Sequence, residues 1–310
     1  MSKKILVVFG ATGLQGRSVI DYVCSNPDLS KKYAIRAVTR DATKPAAQQL
    51  QTRGVEVVTG DADLPESLPA ALANAHTVFI VTLTIYDDQL KERELRQTKA
   101  MADASVKAGA NYLIYSTMVH AERLYGQKVT AFDSKAEGEN YIRGLPVKSA
   151  FFAPGMFMQN FLGHQALFPM AEQPGVYAFT NFISGDAAVP FIEARADTGK
   201  FIGAILASPD KYVDRILCAA TRMYSYTEAA SIITRVTGRK TTYIRLSEEE
   251  WASSFAPEIS RPRVAMFKFI EKSGYYGDNS NAKVEWASEQ VCGGLTTFEE
   301  FVQKNNVFAE

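Results

Sequence analysis

The chain has 310 residues, 46% of them hydrophobic, enough to build a folded core as one large α/β unit or two smaller domains. Its 34 basic and 34 acidic residues cancel, so no overall positive field favours direct contact with nucleic acid. The three cysteines, Cys24, Cys218 and Cys292, have neither disulfide-framework nor zinc spacing, so a reducing compartment and no metal are expected.

Residues 5–9 read as a short apolar strand that runs straight into Gly10, Gly13 and Gly16, with a helix over 14–25 behind them. That order suits a pyrophosphate cradle. Gly10 permits the tight turn, Gly13 lets backbone approach an anion, and Gly16 lets the helix pack close to the sheet. The free N–H groups at the helix start then face the phosphates, with Thr12, Leu14 and Gln15 in the same loop. Strands follow at 34–39, 55–59, 77–81, 112–116 and 147–152, separated by helical stretches at 46–53, 66–73, 89–107 and 132–143. Such alternation predicts a doubly wound parallel sheet of α/β class with helices on both faces. In the 89–107 helix the charges Lys91, Glu92, Arg93, Glu94 and Arg96 read as a solvated face opposite Leu95, Ala102 and Val106.

The texture changes after Ala153, where aromatics, Met and Pro crowd residues 154–174. Ser225 with Glu228, and Ser247 with Glu250, are spaced as capping boxes. Gly238 stands where a helix C-terminus wants a left-handed residue, and 241–246 reads as a strand. The expected division is a dinucleotide-binding domain over 1–153 and a smaller α/β lobe for substrate or partner over 154–310, with segments free to return to the first. No apolar run reaches membrane-spanning length, and the run after Lys4 is too short for a signal-peptide core. A cytoplasmic location is expected, with nuclear access open and no membrane contact.

The end of the second strand bears on the dinucleotide. An acidic residue there suits a ribose 2′-hydroxyl, whereas arginine suits a 2′-phosphate. Thr39 is neutral and Arg40 follows it, with Lys44 four residues on, which favours NADP(H) over NAD(H). The competing reading pairs Arg40 with Asp41 on the surface. Asp61 and Ala62 after the third strand face the adenine or merely close a turn. Thr82, Ser116 and Thr117 lie at strand ends, where hydroxyls bond sugar oxygens or cap helices.

Together these pieces resemble the NmrA-like family of atypical short-chain dehydrogenase/reductases. The resemblance rests on Gly10-Ala11-Thr12-Gly13-Leu14-Gln15-Gly16, Val38-Thr39-Arg40, Tyr115-Ser116-Thr117-Met118, Phe132-Asp133-Ser134-Lys135, Leu145-Pro146 and Pro154-Gly155-Met156-Phe157-Met158-Gln159-Asn160-Phe161. It covers most of the chain and is strongest up to about Phe168. The glycine motif with Gln15 and the Thr39-Arg40 pair look like the NADPH-sensor branch called HSCARG. Membership implies a Rossmann lobe plus a second lobe, with Pro154 and Phe157 bordering the nicotinamide. It also implies two careers: redox-sensing or transcriptional regulation through protein partners, or hydride transfer to quinones and related substrates.

Hydride transfer to a carbonyl needs a proton donor. Ordinary members of the wider superfamily place a tyrosine four residues before a lysine, one helical turn apart. Lys135 matches the lysine, but Ala131 stands at the tyrosine position and has no proton to give. Lys135 is therefore the catalytic candidate, against the plainer reading of a surface lysine paired with Glu139. His120 is a weaker candidate on a loop, Tyr115 is expected in the core, and His76 and His164 are expected to pack or face solvent. Phe157, Met158, Phe161, Phe168 and Phe182 are candidates for an apolar pocket, against the reading that they are core. The absent tyrosine favours an NADP(H)-binding sensor acting through a protein partner. The alternative is an NADPH-dependent reductase of quinones, enones or similar apolar carbonyls using Lys135.

Overall fold

The computed structural model describes residues 2–163, 165 and 167–309. In chain order the first half contains β1 (Lys4–Val8), α1 (Leu14–Ser25), α2 (Pro27–Lys32), β2 (Tyr33–Thr39), α3 (Pro45–Gln51), β3 (Glu56–Thr59), α4 (Leu68–Leu72) and β4 (Ala75–Ile80). There follow α5 (Leu90–Lys107), β5 (Tyr112–Ser116), α6 (Ala121–Tyr125), α7 (Thr130–Arg143) and β6 (Lys148–Pro154). The second half adds β7 (Met156–Phe157), β8 (Phe168–Pro169), β9 (Tyr177–Asn181), β10 (Val189–Ile192), α8 (Ala194–Ala207), β11 (Ile216–Ala219) and β12 (Arg222–Tyr224). It closes with α9 (Tyr226–Thr237), β13 (Thr241–Arg245), α10 (Glu248–Ser253), α11 (Pro257–Ser273), α12 (Ser280–Glu289) and α13 (Phe298–Lys304).

Seven parallel strands form the main sheet in the order β11-β6-β5-β4-β1-β2-β3, as the alternation of the first half predicts. β1 shows why it sits at the centre. Leu6 and Val8 point into the core beneath α1 and α8, Val7 and Phe9 into the core beneath α4 and α5, and all four are buried. A strand buried on both faces must be apolar throughout, which Ile-Leu-Val-Val-Phe satisfies. The strand order reverses between β1 and β4, so a crevice opens above their C-terminal ends. The seventh strand, β11, comes from the second half of the chain and pairs with β6, register Ile216↔Phe151 to Ala219↔Pro154. α8 also returns to the first half, packing along α1.

The remaining strands make two small sheets, β12-β10-β7 and β13-β9-β8, over an aromatic core. Phe191 stacks on Tyr224 with centroids 5.1 Å apart and meets Phe298 edge-on at 5.3 Å. Such pairs contribute about 0.5–1.5 kcal/mol each beyond the area they bury. Tyr276, between α11 and α12, is buried and donates its hydroxyl to the Ala153 carbonyl at 2.9 Å, tying this lobe to the end of β6. Ser247 and Glu250 make the full capping box ahead of α10, and Gly238 ends α9 in the left-handed conformation. Ser225 caps α9 alone, because the Glu228 carboxylate is drawn away to Arg222.

α5 differs from the sequence expectation. Its buried face is Leu90, Glu94, Thr98, Met101, Ala102 and Ser105, not the stripe through Leu95 and Val106. The charges expected in solvent are largely paired: Lys91 with Glu137, Arg93 with Asp87 and Arg96 with Asp63. Glu94 is completely buried.

Candidate functional site

β1 delivers the chain to Gly10, whose φ of +61° turns it back over the sheet. A Cβ at Gly10 would stand 2.7 Å from Val81 Cγ1. At Gly16 it would stand 2.3 Å from the Gly10 carbonyl oxygen, so the cradle closes only without side chains there. Gly13 donates its N–H to the Gly10 carbonyl at 2.9 Å and occupies the N-cap of α1. No side chain caps that helix and no acidic residue sits in its first turn. Its first-turn amides therefore remain available to an anion, which is the donor set a dinucleotide pyrophosphate needs. Ser116, at the end of β5, donates to Gln15 Oε1 at 2.9 Å and so fixes the first turn of α1 against the sheet.

These loops form one end of a cavity of about 920 Å³. Gly10, Thr12, Gly13, Leu14, Gln15 and Gly16 line that end, and Arg40, Asp61 and Ala62 extend the wall past the ends of β2 and β3. Arg40 forms no ion pair among the described residues. The Asp41 carboxylate, its alternative partner, instead accepts from the Thr43 N–H at 2.9 Å and hydroxyl at 2.6 Å. Lys44 is not part of the wall; it is exposed at the N-cap of α3. Asp61 serves the turn as well as the wall: its carboxylate accepts from Asp63 N–H at 3.0 Å, and its own N–H reaches Ser67 Oγ at 2.9 Å.

Midway along the cavity lie Thr82, Ser116, Thr117, Ala131 and Lys135. Lys135 does not pair with Glu139, whose carboxylate is taken by Arg143 and Thr117. Its Nζ donates instead to Glu94 Oε1 at 2.8 Å and to Thr82 Oγ1 at 3.0 Å. Glu94 also accepts from Thr84 Oγ1 at 2.8 Å and from Ser134 Oγ. Burial pushes the Glu94 carboxyl up, but the Lys135 charge and these donors outweigh it and hold it below its usual range. An ammonium has three donors. Two of those on Lys135 are taken by Glu94 and Thr82, the third has no acceptor among the described residues, and the residue lines the cavity. Position 94 is buried rather than solvated; the stripe of residues 90, 94, 98, 101/102 and 105, at steps of three or four, carries the signal that identifies the buried side.

His120 lies outside this wall. It is the N-cap of α6, and its Nδ1 meets the buried Asp133 carboxylate at 3.1 Å, which places it in a structural knot. Tyr115 is buried with its hydroxyl 3.2 Å from Thr98 Oγ1. His76 lies in β4, its Nδ1 2.9 Å from Thr77 Oγ1, and His164 lies outside the described residues.

Beyond Lys135 the cavity passes Pro154 and Phe157 into a chamber of aromatic rings. Of the five candidates for an apolar pocket, Phe157 and Phe168 reach it, while Met158, Phe161 and Phe182 are core. Its other walls come from Phe132, which the sequence marked only as part of the Lys135 motif, and from Tyr86, Phe179, Trp251, Phe267 and Tyr275, which it did not single out for a pocket. They are far apart in sequence and only the packing of α7, β9, α10, α11 and the loops after β4 and α11 gathers them. Burial pushes both the Tyr275 and Tyr86 hydroxyls up, so each meets a ligand as a neutral phenol. Among the described residues there is no cluster of metal-ligating side chains, and no helix is long and apolar enough to cross a membrane.

Comparison with known proteins agrees with this architecture. The family model described as the NmrA-like family matches residues 1–302. A relative from Penicillium ochrochloron, the NmrA-like family domain-containing oxidoreductase ptmS, is 28% identical over 256 residues, covering 78% of this chain and 76% of its own. The crystal structure of NmrA, a negative transcriptional regulator, in complex with NADP superimposes with a TM-score of 0.80 at 21% identity, over 98% of this chain and 95% of that one. The same regulator has been solved with NAD. The Citrobacter sp. triphenylmethane reductase complexed with NADP(H) gives 0.76 at 22% identity, over 97% and 99% of the two chains. The seven-stranded sheet, the glycine turn at its switch point and the family match over nearly the whole length lead to one conclusion: this chain belongs to the NmrA-like family.

Proposed function

We propose that this protein is an NADPH-dependent reductase of a flat, conjugated acceptor such as a quinone, an enone or an aromatic ketone. The observation that carries the reading is the single cavity, which joins the glycine cradle to the aromatic chamber with Lys135 at the junction. Relatives named oxidoreductases support it. The Arg40 guanidinium, free of any carboxylate among the described residues, suits the 2′-phosphate that distinguishes NADPH.

The bound dinucleotide would supply a hydride, and the acceptor would gain that hydride and one proton. This chain contributes the rest. The α1 amides hold the pyrophosphate, and the aromatic walls seat the acceptor and keep water from it. Glu94 and Thr82 fix the Lys135 ammonium so that its third N–H faces the cavity. From there Nζ holds a ribose hydroxyl and passes a proton toward the acceptor, directly or through one water. This assignment does not need a tyrosine at position 131.

The test follows NADPH absorbance against a panel of quinones, enones and aromatic ketones. The expected result is turnover with at least one acceptor, reduced about a hundredfold or more in Lys135→Ala. NADPH that binds tightly yet is oxidised by none of them would sink the reading.

A second reading, a redox-sensing or transcriptional regulator working through a protein partner, is favoured by a different feature. Leu64, Leu83 and Ile85 follow β3 and β4 beside the cradle with 53%, 62% and 44% of their surface exposed. A cofactor that orders those loops would change what this apolar rim presents, provided it binds the two forms with different affinity. Recovery of one protein partner by the NADPH-loaded chain alone, lost in Leu83→Glu, is the outcome this reading requires.

A further inference from the structure

The chamber contains a charge that the reductase reading leaves unused. Arg263, on α11, reaches into its wall. Its guanidinium carbon lies 5.3 Å from the centroid of the Tyr86 ring and 5.1 Å from that of Phe255. It is half-buried and has neither an ion pair nor a geometric hydrogen bond to a carboxylate among the described residues. Two other cations of this lobe are matched: Lys268 on the same helix pairs with Glu248, and Arg245 with Glu271. Asp61 and Asp63, the acids that line the cavity, are at the dinucleotide end, and the Glu94 carboxylate belongs to Lys135.

A guanidinium drawn partly out of water is costly unless something compensates it. Two ring faces supply part of that compensation and hold the plane of the group. One N–H is turned toward the Tyr86 hydroxyl; of the five N–H donors of a guanidinium the rest meet no carboxylate among the described residues, and they fit a carboxylate with two parallel hydrogen bonds.

We propose that Arg263 is an anion receptor within the aromatic chamber, and that the acceptor is a planar conjugated molecule carrying a carboxylate or an equivalent oxyanion. This deepens the reductase reading and rests on it for the chamber being the acceptor's seat. The rings at Phe132, Trp251 and Phe267 take the flat body, Arg263 takes the oxyanion, and the reducible carbon is left toward Lys135. A neutral acceptor would forgo the strongest contact in the chamber, and a cationic one would be repelled from it.

Equilibrium binding separates this from turnover. Naphthalene-2-carboxylate and its neutral carboxamide are titrated calorimetrically into the protein, with and without NADP+. The carboxylate is expected to bind about tenfold tighter or better, the scale of a charge-assisted bidentate contact. Arg263→Met should bring the carboxylate down to the level of the amide while leaving the amide and NADP+ affinities nearly unchanged, and Arg263→Lys should recover part of the preference. Equal binding of the two probes, binding of neither, or a preference that survives Arg263→Met would overturn the proposal. Both ligands are unreactive with oxidised cofactor, so an absence of reductase turnover leaves this result standing, and loss of the anion preference leaves the turnover assay standing.

Discussion

Replacing Glu94 with alanine tests the network around Lys135 most directly. Glu94 is fully buried and its carboxylate collects three hydroxyl donors and one ammonium. The Lys135 side chain is itself only 15% exposed. Alanine would leave that ammonium without its counter-charge and would leave the buried Ser134 hydroxyl only its long contact to the Ala131 carbonyl, at 3.4 Å. Breaking a buried pair from one side costs about 3–5 kcal/mol, because the remaining charge stays desolvated. An unfolding entropy of about 2.1 cal/mol/K per residue over 310 residues converts this into a fall in Tm of about 5–8 °C. Glu94→Gln keeps an oxygen for the hydroxyls and loses only the charge, so about half that fall is expected. Differential scanning calorimetry measures both, and Lys135→Met in the Glu94→Gln background should cost less than it does alone. A Glu94→Ala variant that melts within a degree of the parent, with additive double mutants, would refute the idea that this carboxylate holds the lysine.

Acid titration of stability gives an independent measure of the same group. Because the folded-state value of Glu94 lies below its ordinary 4.5, its contribution is fully present above that pH and is lost as pH falls through the folded value. The stability gap between the parent and Glu94→Gln should therefore be flat near neutrality and shrink only in acid, as read by urea denaturation across pH. Arg40→Ala should weaken NADPH binding by about 1.5–3 kcal/mol and leave NADH almost unchanged in calorimetry, and equal losses would withdraw the NADP(H) assignment. Gly16→Ala drives a methyl to 2.3 Å from a backbone oxygen that cannot step aside. It should abolish detectable dinucleotide binding and lower Tm, and a variant that still binds NADPH normally would contradict the close α1 packing.

Part of this protein is written in local sequence. The strand at β1, the helix at α1 and the parallel alternation as far as β6 follow from periodicity and from glycines whose backbone geometry admits no side chain. The dinucleotide end of the cavity is local as well: β1, its turn and the start of α1 are adjacent in sequence, so their residue types carry the geometry. Other features needed the fold. Glu94 was lost among the charges of α5 because a single helix does not announce which neighbour covers it; α7 supplies Lys135 and Ser134, and the loop after β4 supplies Thr82 and Thr84. Likewise β11 completes the main sheet from more than sixty residues beyond its neighbour β6, and no pattern within Ile216–Ala219 says which strand it will join. The aromatic chamber is the extreme case. Tyr86, Phe179, Trp251, Arg263 and Tyr275 come from five separated stretches, and each looks like ordinary core or surface until packing sets them around one space. Chemistry that depends on adjacency along the chain could be read in advance, whereas chemistry that depends on long-range burial existed only once the chain had closed on itself.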